Sequence, residues 1–326
     1  MRIVLCYPIE LPHYEQICAA APQAEVFDAG QQRIAQELFH ADIFCGHAKV
    51  PVDWDGVVKQ GRLKWIQSSA AGMDHCLVPA VCKSDILVTS ASGVLANQVA
   101  EHTTALLFAH LRSLPVFFEA QRKREFIRRP TRDLHHSTVG IIGLGGVGRR
   151  VAEVLAPYKT RIIATDLFPF DKPPHVAELW PADQLNDLLA ESDVVILCVP
   201  LNEANRGMIR REHFERMKRT ALFINVARGQ LVPETDLVYA LENKLIAGAA
   251  MDVTEQEPLS VDSKLWNMPN VIITPHVGGQ SFRRADDMTD FFCENLRRYQ
   301  AGQPLNNVVD KELGFPVRKP NGAKTK

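Results

Sequence analysis

The chain carries almost no net charge. Its 37 Lys and Arg balance 38 Asp and Glu to a formal -1, so no global field draws it to nucleic acid or to a membrane surface. No apolar run approaches the ~20 residues needed to cross a bilayer. The N-terminus opens on a strand-like RIVLCYP and lacks the apolar stretch and small-residue cleavage site of a secretory leader. The expectation is a cytoplasmic protein. Cysteines are present but follow no ligand pattern. Their number, seven, is odd, no CxxC occurs, and the closest pair, Cys76 and Cys82, is six positions apart. His75 beside Cys76 does not complete the roughly four ligands of a zinc site, so no metal is expected. Cys198, inside VVILCVP, reads as a small buried apolar residue. Internal repeats and low-complexity tracts are also missing.

What is present is a long series of short apolar runs. The 326 residues, 46% apolar and 23% charged, suit two domains with sizeable cores. The first runs are Arg2–Tyr7, Glu25–Asp28, Ile43–Gly46, Trp65–Ser69 and Leu87–Ser90. A second series follows at Val139–Gly143, Arg161–Asp166, Val194–Pro200, Leu222–Ala227, Ala247–Val253 and Val271–Pro275. Apolar runs separated by helical patterns indicate βαβ units and buried parallel sheets. The expected fold class is α/β, with two doubly wound parallel-sheet domains. A boundary is expected near Gly93–Asn97, with a long helix over Ala100–Leu114. The chain is expected to return near Arg283 through a helix over Ala285–Tyr299. This divides it into residues 1–95 (first part of a substrate domain), 96–283 (a cofactor domain), 284–316 (the return segment) and a polar, frayed tail at 317–326. Six basic residues, Arg122, Lys123, Arg124, Arg128, Arg129 and Arg132, fall within eleven positions. They are read as a solvated loop or dimer arm rather than an anion-binding patch.

The cofactor reading rests on Gly143-x-Gly145-x-x-Gly148, which follows one apolar run and opens a helix over Arg149–Leu155. The first glycine permits a tight turn, the second lets backbone approach a pyrophosphate, and the third lets helix pack on strand. The next run, RIIATD, ends in Asp166, 23 residues after Gly143. A carboxylate there accepts hydrogen bonds from the ribose hydroxyls and repels a 2′-phosphate, so NAD is the expected cofactor. Gly146, Val147 and Pro200, the last ending VVILCVP, are counted among its contacts.

Three polar residues follow later apolar runs. Arg228 comes after LFINVA, Glu257 after IAGAAMDV, and His276 after VIITP. A cation, a carboxylate and an imidazole beside a nicotinamide suffice to reduce a 2-keto acid. The guanidinium fork holds the substrate carboxylate and polarises the C2 carbonyl. The imidazole gives and takes the proton on the resulting oxygen, and the carboxylate keeps it in its protonated form. Singly, each residue reads equally well as a surface or turn residue. The argument is their joint placement after successive parallel strands.

At this point the chain resembles the NAD-dependent D-2-hydroxyacid dehydrogenases. AAGMDH (Ala70–His75) is similar to the family's substrate loop, GVLANQVAEH (Gly93–His102) to its interdomain helix start, and GIIGLGGVGRRVA to its cofactor turn. NVARGQLV (Asn225–Val232), AMDVTEQEPL (Ala250–Leu259) and TPHVGGQS (Thr274–Ser281) are similar to its catalytic segments. The resemblance implies a Rossmann cofactor domain inserted into a discontinuous flavodoxin-like substrate domain, a cleft between domains as the active site, and a homodimer built through the cofactor domain. It makes Arg228 the substrate arginine, Glu257 the partner of the general acid/base His276, and Asp252 a contact of the nicotinamide carboxamide. The backbone amides of Ala71 and Gly72 would grip the substrate carboxylate. His47, Lys49 and His75 are candidates for the substrate's distal group, whereas His102, His135 and His136 are assigned structural roles. Glyoxylate or hydroxypyruvate is the favoured substrate. Glu257 before Pro258 disfavours a formate dehydrogenase, which carries Gln there. Cys45 and Gly46, where phosphoglycerate dehydrogenases often carry Arg-Ser, argue against a phosphorylated substrate without closing that reading. An NADH-sensing corepressor on the same fold also stays open.

Overall fold

The computed structural model describes residues 1–317, and the expected polar tail lies outside them beyond Val317. The chain divides into two compact units. The first takes Met1–Leu95 together with the described chain from Ser281 onward, and the second takes Ala96–Gln280.

In the first unit the order is β1 (Arg2–Cys6), α1 (Leu11–Ala20), β2 (Glu25–Asp28), α2 (Gly30–Glu37), β3 (Ile43–Gly46), α3 (Trp54–Gln60), β4 (Trp65–Ser68), α4 (Pro79–Cys82) and β5 (Leu87–Thr89). The strands pair in parallel in the order β2-β1-β3-β4-β5, the flavodoxin-like doubly wound arrangement. Successive side chains of a strand point to opposite faces. Val4 and Cys6 therefore enter one core with Phe44 and Ile66, while Ile3 and Leu5 enter the other with Trp65.

The second unit opens with α5 (Ala96–Leu111) and α6 (Leu114–Lys123), followed by β6 (Thr138–Ile142), α7 (Gly146–Leu155), β7 (Arg161–Asp166), β8 (Glu178–Pro181), α8 (Leu185–Glu191) and β9 (Val194–Leu197). Then come α9 (Arg211–Arg216), β10 (Leu222–Asn225), α10 (Glu234–Glu242), β11 (Gly248–Met251) and β12 (Val271–Ile273). The seven strands run parallel in the order β12-β11-β10-β9-β6-β7-β8. Counted within the unit, this is the Rossmann order 3-2-1-4-5-6 with one further strand beyond. The chain reverses direction across the sheet between β6 and β9, and open α/β sheets bind ligands beyond the strand C-termini at that point. The strand alternation again feeds two cores. Val195, Leu197 and Phe223 enter one, and Val194, Ile196, Leu222 and Ile224 the other. Beyond Ser281 lie α11 (Arg284–Gln300), β13 (Val309–Asp310) and β14 (Phe315–Pro316), the last two forming a small antiparallel pair.

Three local readings change. The long helix is α5, which starts four residues before the expected Ala100 and stops at Leu111. Ser113 takes a left-handed φ of 53° and Pro115 sits in the first turn of a separate helix, α6, since proline is tolerated there and not in a helix interior. The helix after the glycine motif starts at Gly146 rather than Arg149. Three strands, β8, β13 and β14, were not expected at all. The basic segment is solvated: residues 121–130 are all exposed, with α6 ending at Lys123. No described helix is long and apolar enough to cross a membrane, and no group of three or more His, Cys, Asp or Glu among the described residues can hold a metal ion.

Candidate active site

The glycine motif forms the turn between β6 and α7. Gly143 has a φ of +93°, and a Cβ there would fall 2.7 Å from the Val199 side chain. Gly148 packs its backbone so close that a Cβ would lie 2.1 Å from the carbonyl oxygen of Gly143. Both positions therefore exclude side chains, Gly143 by its backbone conformation and a steric clash together and Gly148 by a steric clash alone. Gly145 differs from both, since a Cβ built on it meets nothing within 4 Å. Its open side faces no protein atom, which is what a group approaching the backbone requires. Gly145 is the residue before α7, and the first N–H groups of a helix lack intrahelical partners and favour an anion. Asp166 ends β7. Its carboxylate accepts from the Leu144 N–H at 2.7 Å and the Phe168 N–H at 2.9 Å, so it is built into the same turn. Arg149 is engaged by the carbonyl of Leu144 at 3.0 Å and by Asp171. Pro200 follows β9 across the reversal point, its carbonyl held by the Asn205 side chain at 2.7 Å. Burial pushes the neighbouring Cys198 thiol up to about 12, which makes it inert.

Arg228, Glu257 and His276 follow β10, β11 and β12, three adjacent parallel strands. Each loop has its own construction. Asn225, fully buried at the end of β10, accepts from Ala227 N–H at 3.0 Å and donates to the Arg228 carbonyl at 3.0 Å. This Asx-type turn aims the half-buried Arg228. Gly229 lets the turn touch its neighbour, since a Cβ would lie 1.8 Å from the Thr254 carbonyl oxygen. In the second loop the Glu257 carboxylate accepts from the Thr254 N–H at 3.2 Å. Its other oxygen lies 2.8 Å from His276 Nδ1. An ionised carboxylate can only accept, so Nδ1 carries the proton toward Glu257, and Nε2 is the ring's other nitrogen. Both side chains are partly exposed, 46% for His276 and 38% for Glu257.

Asp252 holds the third loop. It is 3% exposed. Its Oδ1 accepts from Thr274 Oγ1 at 2.6 Å and Val277 N–H at 2.9 Å, and its Oδ2 from Gly278 N–H at 2.8 Å. Its carbonyl accepts from the His276 N–H at 2.7 Å. His276 itself sits at a left-handed φ of 54°, a conformation that costs a non-glycine residue ~1 kcal/mol or more and persists where its surroundings fix it. Burial alone would raise the Asp252 carboxyl. The hydrogen bonds from His102, Thr274, Val277 and Gly278 outweigh it and hold the group below the usual carboxylate range.

The structure thus brings Glu257 and His276 into contact and sets Arg228 on the adjacent strand end. Asp252 stands behind the His276 loop, with most of its hydrogen-bonding capacity used inside the protein. Of the remaining candidates, Ala71, Gly72, His47, Lys49 and His75 belong to the first unit. There the His47 and His75 rings stack with centroids 3.9 Å apart, and His75 Nε2 lies 3.2 Å from Ser68 Oγ. His135 and His136 lie before β6, edge to face. His102, assigned a structural role from sequence, contacts Thr274 and Asp252. Thr274 was not singled out, although it stands two residues before His276 in TPHVGGQS.

A Rossmann sheet, an open glycine turn and an Arg–Glu–His set on adjacent strand ends define a nicotinamide-dependent oxidoreductase. Comparison with known proteins agrees. The family model for the D-isomer specific 2-hydroxyacid dehydrogenase, NAD binding domain, matches residues 104–278. The glyoxylate reductase of Pyrococcus furiosus is 30% identical over 302 residues, covering 89% of this chain and 88% of the relative. A D-isomer specific 2-hydroxyacid dehydrogenase from Xanthobacter autotrophicus, solved in complex with NADPH and MES, superposes with a TM-score of 0.83 at 29% identity, covering 96% of this chain and 99% of that one. An NADPH-dependent glyoxylate/hydroxypyruvate reductase from Sinorhizobium meliloti, solved with NADP and sulfate, gives 0.81 at 27% identity, with 96% and 99% covered. The chain belongs to the D-isomer specific 2-hydroxyacid dehydrogenase family.

Proposed function

We propose that the protein reduces a small 2-keto acid to its D-2-hydroxy acid with NADH, or runs the reverse oxidation, and that glyoxylate or hydroxypyruvate is the substrate. The observation that carries this reading is the 2.8 Å contact between His276 Nδ1 and Glu257. It leaves Nε2 to exchange a proton with substrate. Gly145, Gly146 and Val147 would hold the diphosphate, and Asp166 the adenosine ribose. Gly143 and Gly148 shape that turn, and Pro200 and Asp252 line its continuation. When bound, the nicotinamide supplies or accepts the hydride. Arg228 binds the substrate carboxylate and polarises the adjacent carbonyl. His276 delivers the proton to the carbonyl oxygen as charge develops there, and Glu257 orients the ring and balances its charge. Roles for Ala71 and Gly72 at the carboxylate, and for His47, Lys49 and His75 at the distal group, rest on motif position.

NAD is preferred over NADP in this reading because the Asp166 carboxylate lies where a 2′-phosphate would be repelled. The two relatives solved with NADPH or NADP make NADPH the alternative to measure in the same assay. A homodimer through the second unit belongs to the same proposal. It is supported by Phe118, Phe126 and Ile127, exposed by 54%, 93% and 43% on or just after α6, and sedimentation would test it. The deciding experiment follows NADH oxidation with glyoxylate, hydroxypyruvate, pyruvate and phosphohydroxypyruvate. The expected result is turnover that falls ~10²- to 10⁴-fold in His276→Ala. Clear NADH binding without turnover on any member would overturn the substrate assignment and leave either an untested substrate or the sensor reading.

A further inference from the structure

His102 lies on α5, 172 residues before Thr274 in sequence, and its Nε2 is 2.9 Å from Thr274 Oγ1 and 3.2 Å from Asp252 Oδ1. The direction of these bonds follows from counting protons. A threonine hydroxyl has one proton to give. The Asp252 carboxylate, ionised, has none, so at 2.6 Å Thr274 donates to it. Thr274 Oγ1 is therefore the acceptor toward His102, and His102 Nε2 carries a proton. The chain of donation runs from His102 to Thr274 to Asp252, with Nε2 also leaning on Asp252 directly.

Asp252 passes that restraint to His276, Val277 and Gly278. Its carbonyl fixes the His276 N–H, and its carboxylate fixes the Val277 and Gly278 N–H groups. The fit around it leaves no slack. A Cβ on Gly278 would lie 2.8 Å from Asp252 Oδ2 and 3.4 Å from His102 Cδ2. The loop that carries His276 in its left-handed conformation is thus closed between a carboxylate and the imidazole of a helix far away in sequence.

We propose that His102 is a positioning residue for proton transfer, holding Thr274 and Asp252 so that the Thr274–Gly278 loop presents His276 in register. The proposal rests on the reading of His276 as the proton-transfer group. His102 acts only through Thr274 and Asp252. Without the Nε2–H donor, the Thr274 hydroxyl loses one partner and the Asp252 carboxylate loses another, and the loop gains alternative conformations.

The test compares His102→Leu, which removes the donor, with His102→Gln, whose side-chain amide places a donor near the same point. Hydrogen exchange of the Val277 and Gly278 amides is read first, because it needs no turnover. In His102→Leu these amides are expected to exchange about tenfold faster or more, with β9 and β10 at wild-type protection. His102→Gln should restore most of the difference. In turnover, kcat should fall about 10- to 100-fold in His102→Leu. The KM for NADH should hold and the solvent isotope effect should grow, since a misaligned proton transfer becomes more rate-limiting. Should His102→Leu fail to fold, Thr274→Val breaks the same chain and carries the comparison. Unchanged amide exchange in the loop, or wild-type kcat and isotope effect in a folded donor-less variant, overturns the proposal. A wild-type enzyme with no turnover, or a His276→Ala variant with full turnover, overturns instead the function it rests on, and the amide exchange still decides whether His102 restrains the loop.

Discussion

Replacing Asp252 by Asn keeps the shape of the side chain and removes one acceptor oxygen. The amide must then turn its NH2 group toward one of two sets of donors. Toward the Oδ1 position stand the Val277 N–H at 2.9 Å, the Thr274 hydroxyl at 2.6 Å and the His102 ring at 3.2 Å. Toward the Oδ2 position stands the Gly278 N–H at 2.8 Å. A hydroxyl can rotate away, but a backbone N–H cannot, so the less costly orientation faces Gly278 and leaves that buried N–H unsatisfied. Losing a hydrogen bond to a charged group costs about 1.5–3 kcal/mol, and an orphaned buried donor a comparable amount. A net destabilisation of about 2–4 kcal/mol is expected, partial relaxation of the loop absorbing the rest. For a unit of this size that lowers Tm by about 5–15 °C. The effect should depend on pH with a definite sign. The folded Asp252 carboxyl lies below the usual range, so its stabilisation is fully present above the unfolded value near 3.9 and is lost as pH falls through the folded value. The gap between wild type and Asp252→Asn should therefore be constant from neutral pH to about 5 and narrow below about 4. Urea unfolding followed by far-UV circular dichroism at several pH values measures it. A gap that stays constant down to pH 3, or a stability loss too small to resolve at neutral pH, would refute the reasoning.

Three further substitutions test separate parts of the site. Gly148→Ala forces a Cβ to within 2.1 Å of the Gly143 carbonyl oxygen. Backbone meets backbone there, so the turn must open. NADH binding by fluorescence titration should weaken about tenfold or more, as expected for a turn whose glycines set the cofactor approach, whereas unchanged affinity would show that the turn yields freely. Asp166→Ser removes the carboxylate from the end of β7 and should raise the NADPH-to-NADH ratio of kcat/KM by about tenfold. An unmoved ratio would place the discrimination elsewhere. Arg228→Lys keeps the charge but loses the planar fork, so kcat/KM for the keto acid should fall about 10- to 100-fold with NADH affinity held. A fall of equal size in NADH affinity would assign Arg228 to the cofactor instead.

The sequence was readable where a residue's environment is set by its neighbours in the chain. VVIL, LFIN and RIIATD announce buried parallel strands because each holds an uninterrupted run of apolar residues, and the structure pairs each of them on both sides within the second sheet. The strand β8, ELWP, escaped for the opposite reason. It lies at the sheet edge, paired on one side only, and its residues are half-buried or exposed, so it carries neither an apolar run nor an alternation. The glycine motif was legible because each glycine answers a local backbone demand. Arg228, Glu257 and His276 stand out through the motifs around them and their position after strands, and the pairing of Glu257 with His276 that the resemblance implies has its geometric basis in the adjacency of β11 and β12. The part played by Asp252 and His102 was not legible. Asp252 reads, through the resemblance, as a cofactor contact rather than as the anchor of the His276 loop, and His102 as one histidine on a helix. Their hydrogen bonds join residues 22 and 172 positions from Thr274, and no local pattern encodes a partner at that distance.

The interruption of the first unit has a consequence for how the chain is made. The first 95 residues carry all five strands of the first sheet, yet one face of that sheet lacks part of its cover. Ile3, Leu5 and Trp65 share a core with Ile17 and Ala20 of α1 and with Met288, Phe292 and Leu296 of α11, and the α11 residues are translated about 200 residues later, a wait of roughly 10–40 s at ordinary elongation rates. In that interval the second unit, contiguous in the chain, can close its own cores. The nascent protein therefore matures from the middle outward. The N-terminal sheet keeps this face only partly covered until α11 arrives to complete it.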